Sequence, residues 1–146
     1  MSLPAPFSLP DQQFLTLAAA ANRIVPPDQT CGAADAGAVE FILGLLNGEL
    51  CGEQATYIAG LDGIDQEAHA YHHKPFAQLS PAEQDAVLRA IEEDYVKTTW
   101  IIPPKAFFLM LVEHVLESFY ADPGNGGNRD SVSWKMMGYR AEGGTL

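Results

Sequence analysis

Pro104-Lys105-Ala106-Phe107-Phe108-Leu109-Met110-Leu111-Val112-Glu113-His114-Val115-Leu116-Glu117-Ser118-Phe119 decides the fold class. Phe107, Phe108, Leu111, Val112, Val115, Leu116 and Phe119 recur as adjacent pairs one helical turn apart, which predicts an α-helix with a broad buried stripe. A proline at its start suits the first helical position, where no amide donor is needed. The first half is apolar almost all round, so this helix is expected to be the central and most buried one. The longest uninterrupted apolar run, Ala106 to Val112, falls far short of the roughly 20 apolar residues that a bilayer span requires.

Moving outward, the same period recurs and no strand-length alternation of Val, Ile or Thr with polar residues intervenes. Ser80-Pro81-Ala82-Glu83 starts the preceding helix with a capping serine, a proline at the first position and a glutamate at the third. Val87, Leu88, Ile91 and Tyr95 are its expected inner face, and Glu92, Glu93 and Asp94 crowd an end where the helix dipole disfavours acids. Glu53 to His72 reads as helix through Tyr57, Ile58, Leu61 and Ile64, with a bend or break at Gly60 and Gly63. Ala33 to Leu46 turns Val39, Ile42, Leu43 and Leu46 inward and closes at Asn47-Gly48. Asp11 caps a first helix to Ile24 whose stripe is Phe14, Leu17, Ala18, Ala21 and Ile24, and Pro26-Pro27 stops it. A short terminal turn is expected from Ser131 to Met137. Together these predict one all-α domain over 1–146, an irregular bundle of about five helices. Residues 1–10 form an N-terminal extension, and 122–146 a Gly-rich loop with a short terminal helix and tail.

The charge balance narrows the function. Eight Lys and Arg stand against 19 Asp and Glu, a formal charge of −11. Nucleic-acid backbones and anionic lipid both call for a positive surface, so neither is an expected partner. Cys31 and Cys51 form no CxxC pair, which leaves a disulfide between them and two free, partly buried thiols both open. Met1-Ser2-Leu3-Pro4 lacks a basic or apolar leader region, so a cytoplasmic location and prior removal of an export signal both stand.

Chemistry-bearing residues are sparse. His69, His72 and His73 lie within one helical turn and, with Glu113 and His114, are candidate metal ligands. A solvated helix end before Lys74-Pro75 is the stronger reading of the same cluster. HExxH, CxxCH, Glu-x-x-His, G-x-S-x-G and phosphate-cradling glycine motifs are all absent, so no catalytic, metal or cofactor-binding residues are assigned. Glu92-Glu93 reads as a solvated helix face. The segment Pro123-Gly124-Asn125-Gly126-Gly127-Asn128 demands positive φ at several places, which glycine and asparagine supply. After it, Trp134 and Tyr139 are large amphipathic rings suited equally to a partner interface and to the domain's own core.

Phe107-Phe108, Tyr120, Pro123, Gly126-Gly127-Asn128, Trp134 and Gly138-Tyr139 resemble the closing signature of the gluconate 2-dehydrogenase subunit 3 family. This is the small, or gamma, subunit of membrane-associated, flavin-dependent sugar and polyol dehydrogenases. Upstream, Phe14-Leu15-Thr16-Leu17 leading to Ile24-Val25-Pro26, Phe41-Ile42 before Leu45-Leu46, and Phe76 before Leu79-Ser80 are similar to the family in order. The resemblance implies a non-catalytic accessory subunit with no cofactor of its own. It would escort and stabilise a large subunit that binds FAD and oxidises the sugar, with a multihaem cytochrome c subunit receiving the electrons. It also implies a periplasmic location at the inner membrane and a partner interface built on Tyr120, Gly126, Gly127, Asn128, Trp134 and Tyr139. The alternative from another class is a stand-alone helical metal- or ligand-binding protein that uses His69, His72 and His73.

Overall fold

A computed structural model describes residues 6–25 and 37–120. The expected helix start near Ala33, the Gly-rich loop and the terminal turn at Ser131–Met137 lie outside the described residues. Five α-helices follow one another: α1 (Asp11–Ile24), α2 (Ala38–Leu46), α3 (Gln54–His72), α4 (Pro81–Glu92) and α5 (Pro104–Tyr120). Short 3-10 turns at Cys51–Glu53 and Phe76–Gln78 lead into α3 and α4. No strand occurs among the described residues, so the fold is the expected all-α bundle. One expectation needs amending, because α1 and α5 share the centre and each packs against all four other helices.

The core is a single cluster around Leu17, Ile42, Leu61, Ile64, Ile91 and Leu111, all fully buried. Helix α1 enters it on a face rotated from the expected stripe, of which Leu17 and Ala21 are buried and Ala18 and Ile24 pack against the core while Phe14 turns outward. Gln13, Thr16, Leu17, Ala20 and Ala21 are buried, whereas Phe14 is 38% exposed and Leu15 more so. Two polar groups permit this rotation. Thr16 Oγ1 donates to the Gln12 carbonyl at 2.9 Å, and Gln13 Nε2 donates to Asp62 Oδ1 on α3 at 2.6 Å. The small Thr16, Ala20 and Ala21 then let the flanking helices approach closely. Asp11 does not cap α1. Pro10 precedes the helix in an extended conformation with no side-chain cap, and its carbonyl accepts from Phe14 N. At the other end of the helix the Arg23 guanidinium forks onto Asp85 of α4, with Nε–Oδ1 2.8 Å and Nη2–Oδ2 3.0 Å. That hydrogen bond holds the Asp85 carboxyl below the usual carboxylate range.

Part of the N-terminal extension is bound to the bundle. Leu9 is buried, and Asn47 at the end of α2 holds Phe7 from both sides: its Oδ1 accepts from Phe7 N at 2.6 Å while its Nδ2 donates to the Phe7 carbonyl at 3.0 Å.

Helix α3 does not break at Gly60 and Gly63; it runs unbroken for 19 residues. These positions are glycine because ring carbons occupy the space a Cβ would need, those of Phe107 at Gly60 and of Trp100 at Gly63. Here glycine allows close packing instead of a break.

Helix α4 carries the anticipated capping box. Glu83 N donates to Ser80 Oγ at 3.2 Å, and Ser80 N donates to Glu83 Oε1 at 2.9 Å. Tyr95 does not belong to its inner face. The helix closes before it, with Asp94 left-handed at φ 63. Asp94 N then donates to the Ile91 carbonyl and Tyr95 N to that of Ala90, a Schellman closure. This turns Tyr95 outward to 74% exposure. Leu109 likewise departs from the all-round burial expected of early α5, being half-exposed.

Candidate functional site

The strongest polar arrangement among the described residues joins α3 to the linker between α4 and α5. Glu67 lies one turn beyond Gly63 on α3 and is fully buried. Its Oε1 accepts from Lys97 N at 2.8 Å, and its Oε2 from Thr98 N at 2.9 Å, Trp100 Nε1 at 3.1 Å and the Thr98 hydroxyl. Four donors around one carboxylate offset the cost of removing it from water. Lys97 Nζ sits 4.1 Å from the centre of the Tyr71 ring, and the Tyr71 hydroxyl donates to the Tyr95 carbonyl at 3.0 Å. The linker has no helix or strand of its own, yet α3 fixes it at successive residues.

Beside this anchor an open cavity of about 350 Å³ is lined by Asp62, Asp65, Gln66, His69 and Thr98. Its carboxylates already serve the fold. Asp62 accepts from Gln13, and Asp65 Oδ1 accepts from Phe76 N at 2.8 Å, which seats the turn before α4. The second oxygen of Asp65 faces His69, which lines the same cavity.

The histidines are spread over separate settings. His69 is half-exposed with Nε2 3.8 Å from Asp65 Oδ2, and His72 Nδ1 lies 3.6 Å from Glu83 Oε2. His73 closes α3 in the left-handed conformation at φ 61. His114 is buried elsewhere, its Nδ1 2.7 Å from the Tyr57 hydroxyl and its ring stacked near-parallel on that of Tyr57. Burial raises the Tyr57 pKa above its ordinary value, and the Glu117 and Glu53 carboxylates add to the effect. The phenol therefore stays protonated, and it shares a hydrogen bond with Nδ1 whose donor is set by the imidazole tautomer. Glu113 is exposed on α5. Among the described residues no group of three or more His, Cys, Asp or Glu side chains is arranged to hold a metal ion. Cys51 is a free, exposed thiol in the turn before α3, and Cys31 lies outside the described residues.

Of the expected interface positions, Tyr120 is the last residue of α5. Gly126, Gly127, Asn128, Trp134 and Tyr139 lie outside the described residues. Sequence reasoning missed the Glu67 anchor. A tryptophan in a short helix–helix connection, opposite a glycine one turn before a helical glutamate, is the signal that could have found it.

No described helix is long and apolar enough to cross a membrane. The described residues define a small helical domain in which the buried Glu67 and Gln84 side chains hold its connections. Residues 11–143 match the family model described as Gluconate 2-dehydrogenase subunit 3, and the chain belongs to that family, one of subunits of a dehydrogenase complex. Comparison with curated proteins and with solved structures gives no match.

Proposed function

We propose that this chain is a non-catalytic small subunit that binds, stabilises and escorts an FAD-dependent, membrane-associated sugar or polyol dehydrogenase. The observation that carries the reading is the family match across residues 11–143. The structural employment of Asp62, Asp65, Glu67 and the Tyr57–His114 pair supports it, since these groups are the obvious candidates for chemistry and each already has a packing role. In this reading FAD and the substrate pocket belong to the large subunit, and a multihaem cytochrome c subunit accepts the electrons. The complex works on the periplasmic side of the inner membrane. Tyr120, Gly126, Gly127, Asn128, Trp134 and Tyr139 supply contacts to the large subunit, with the glycines admitting its backbone closely and the rings anchoring it.

The test is to co-produce the chain with an FAD-dependent dehydrogenase subunit from the same organism and to measure co-elution, soluble yield and FAD retention. Co-elution together with a loss of soluble flavoprotein when the chain is omitted is the expected result. Separate elution, with a flavoprotein equally soluble and active alone, overturns the proposal. Trp134→Ala is expected to weaken assembly by about 1 to 3 kcal/mol, the usual range for an aromatic interface anchor. An unchanged dissociation constant would remove Trp134 from the interface.

A further inference from the structure

We infer that the α4–α5 linker and the outer face of early α5 form a docking surface for the dehydrogenase subunit, an inference that rests on the function proposed above. Ile101 is 89% exposed, the highest value of any large apolar side chain described. Ile102, the residue after it, lines with Pro103, Ala106, Met110 and Glu53 an open cavity of about 270 Å³. Leu109 follows Ala106 by three residues, so the two share one face of α5 and extend the patch with a half-exposed leucine. Glu113, exposed four residues further on, borders the same face.

Two properties set this patch apart from scattered surface apolar residues. The first is rigidity. Connections between helices are ordinarily the mobile parts of a domain. This one is held by the four donors on Glu67, by Lys97 over Tyr71 and by the Trp100 ring against Gly63. Fixing an apolar knob in water does nothing for the free chain, whereas it removes the ordering cost that an association would otherwise bear. The second is charge. Glu53 lines the cavity, Glu113 is exposed further along α5, and the whole chain has a net charge of −11. A second copy would bring like charges face to face, which disfavours self-association. The fitting occupant is a subunit with an apolar hollow for Ile101 and basic side chains opposite Glu53 and Glu113.

The experiment is a competition. A tagged dehydrogenase subunit is co-produced with equal amounts of the wild-type chain and one variant, and the captured ratio is read by mass spectrometry. Ile101→Asp should be captured about tenfold less than wild type, a loss equivalent to one well-buried anchor. Leu15→Asp, on the exposed side of α1, should be captured equally with wild type. Leu109→Asp provides a second reading of the same face should Ile101→Asp lose its helical circular dichroism. Equal capture of folded Ile101→Asp, or an equal loss with Leu15→Asp, overturns this surface and leaves the proposed function standing. Failure to capture wild type removes both. A wild-type dimer in isolation that Ile101→Asp dissociates would assign the face to a second copy and overturn the inference.

Discussion

Glu67 is a carboxylate sealed inside a helical domain and compensated, among the described residues, by hydrogen bonds instead of a cation. Hydrogen bonds to a charged acceptor are worth more than neutral ones, so Glu67→Gln should destabilise the fold by about 1.5 to 3 kcal/mol. Chemical denaturation measures the loss, and amide hydrogen exchange at Lys97 and Thr98 should quicken more than in α2. Gly60 makes a second test at this scale. In an open helix Gly→Ala gains about 1 kcal/mol from propensity. Here the new methyl meets the buried Phe107 ring, and overpacking of that kind costs about 1 to 3 kcal/mol. A lowered melting temperature for Gly60→Ala is therefore expected, and a raised one would show that Phe107 moves aside freely. Neither role could be read from the chain alone. A glycine within a helical pattern signals a weak point until the ring that fills its place is known. A glutamate looks solvated until its donors, thirty residues away, are folded beside it.

Among the elements, α4 is where local sequence spoke most directly. Ser80-Pro81-Ala82-Glu83 announces a helix start because the groups that satisfy the free amides lie within four residues. The same element carries the clearest acid sensitivity. The Glu83 carboxyl is held below its ordinary range chiefly by the Ser80 backbone amide, and that of Asp85 by the Arg23 guanidinium. Both pKa values are depressed in the folded state, so the stabilisation is present above the unfolded carboxylate range of about 4 and is lost as pH falls through the folded values. Ser80→Ala should cost about 1 kcal/mol near neutrality and nearly as much in acid, because the amide of residue 80 still donates to Glu83, whereas the gap between wild type and Glu83→Ala should narrow on acidification as Glu83 protonates. Urea titrations at pH 7 and pH 3 measure both effects; a Glu83→Ala gap independent of pH would show that the box acts through Ser80 alone. By contrast, α1 was legible in extent and misleading in orientation. Apolar spacing ranks Phe14 as inward, but the hydrogen bond from Gln13 to Asp62 and the small Thr16–Ala20–Ala21 surface turn a polar residue into the core instead. Tyr95 failed for a related reason. Periodicity carries no mark of the left-handed Asp94 that closes the helix before Tyr95 is reached.

At the scale of the whole molecule, the number of helices and their order were legible because each buries a stripe with a 3.6-residue period. The way they share the interior was not. Two central helices emerge because α1 is alanine-rich enough to lie between its neighbours, a property of fit that shows only when the surfaces meet. The candidate site divides in the same way. Family resemblance pointed to the C-terminal signature residues, while the anchored linker at the opposite end of α5 came only from geometry. Trp100 gives that linker an optical signal. Its indole is wedged against Gly63 and tied to Glu67, so any local loosening bares the ring to solvent and shifts its emission to longer wavelength before the helices themselves unwind. Spectroscopists thus have a native reporter placed beside the apolar knob at Ile101, one able to register contact with a companion protein without any attached dye.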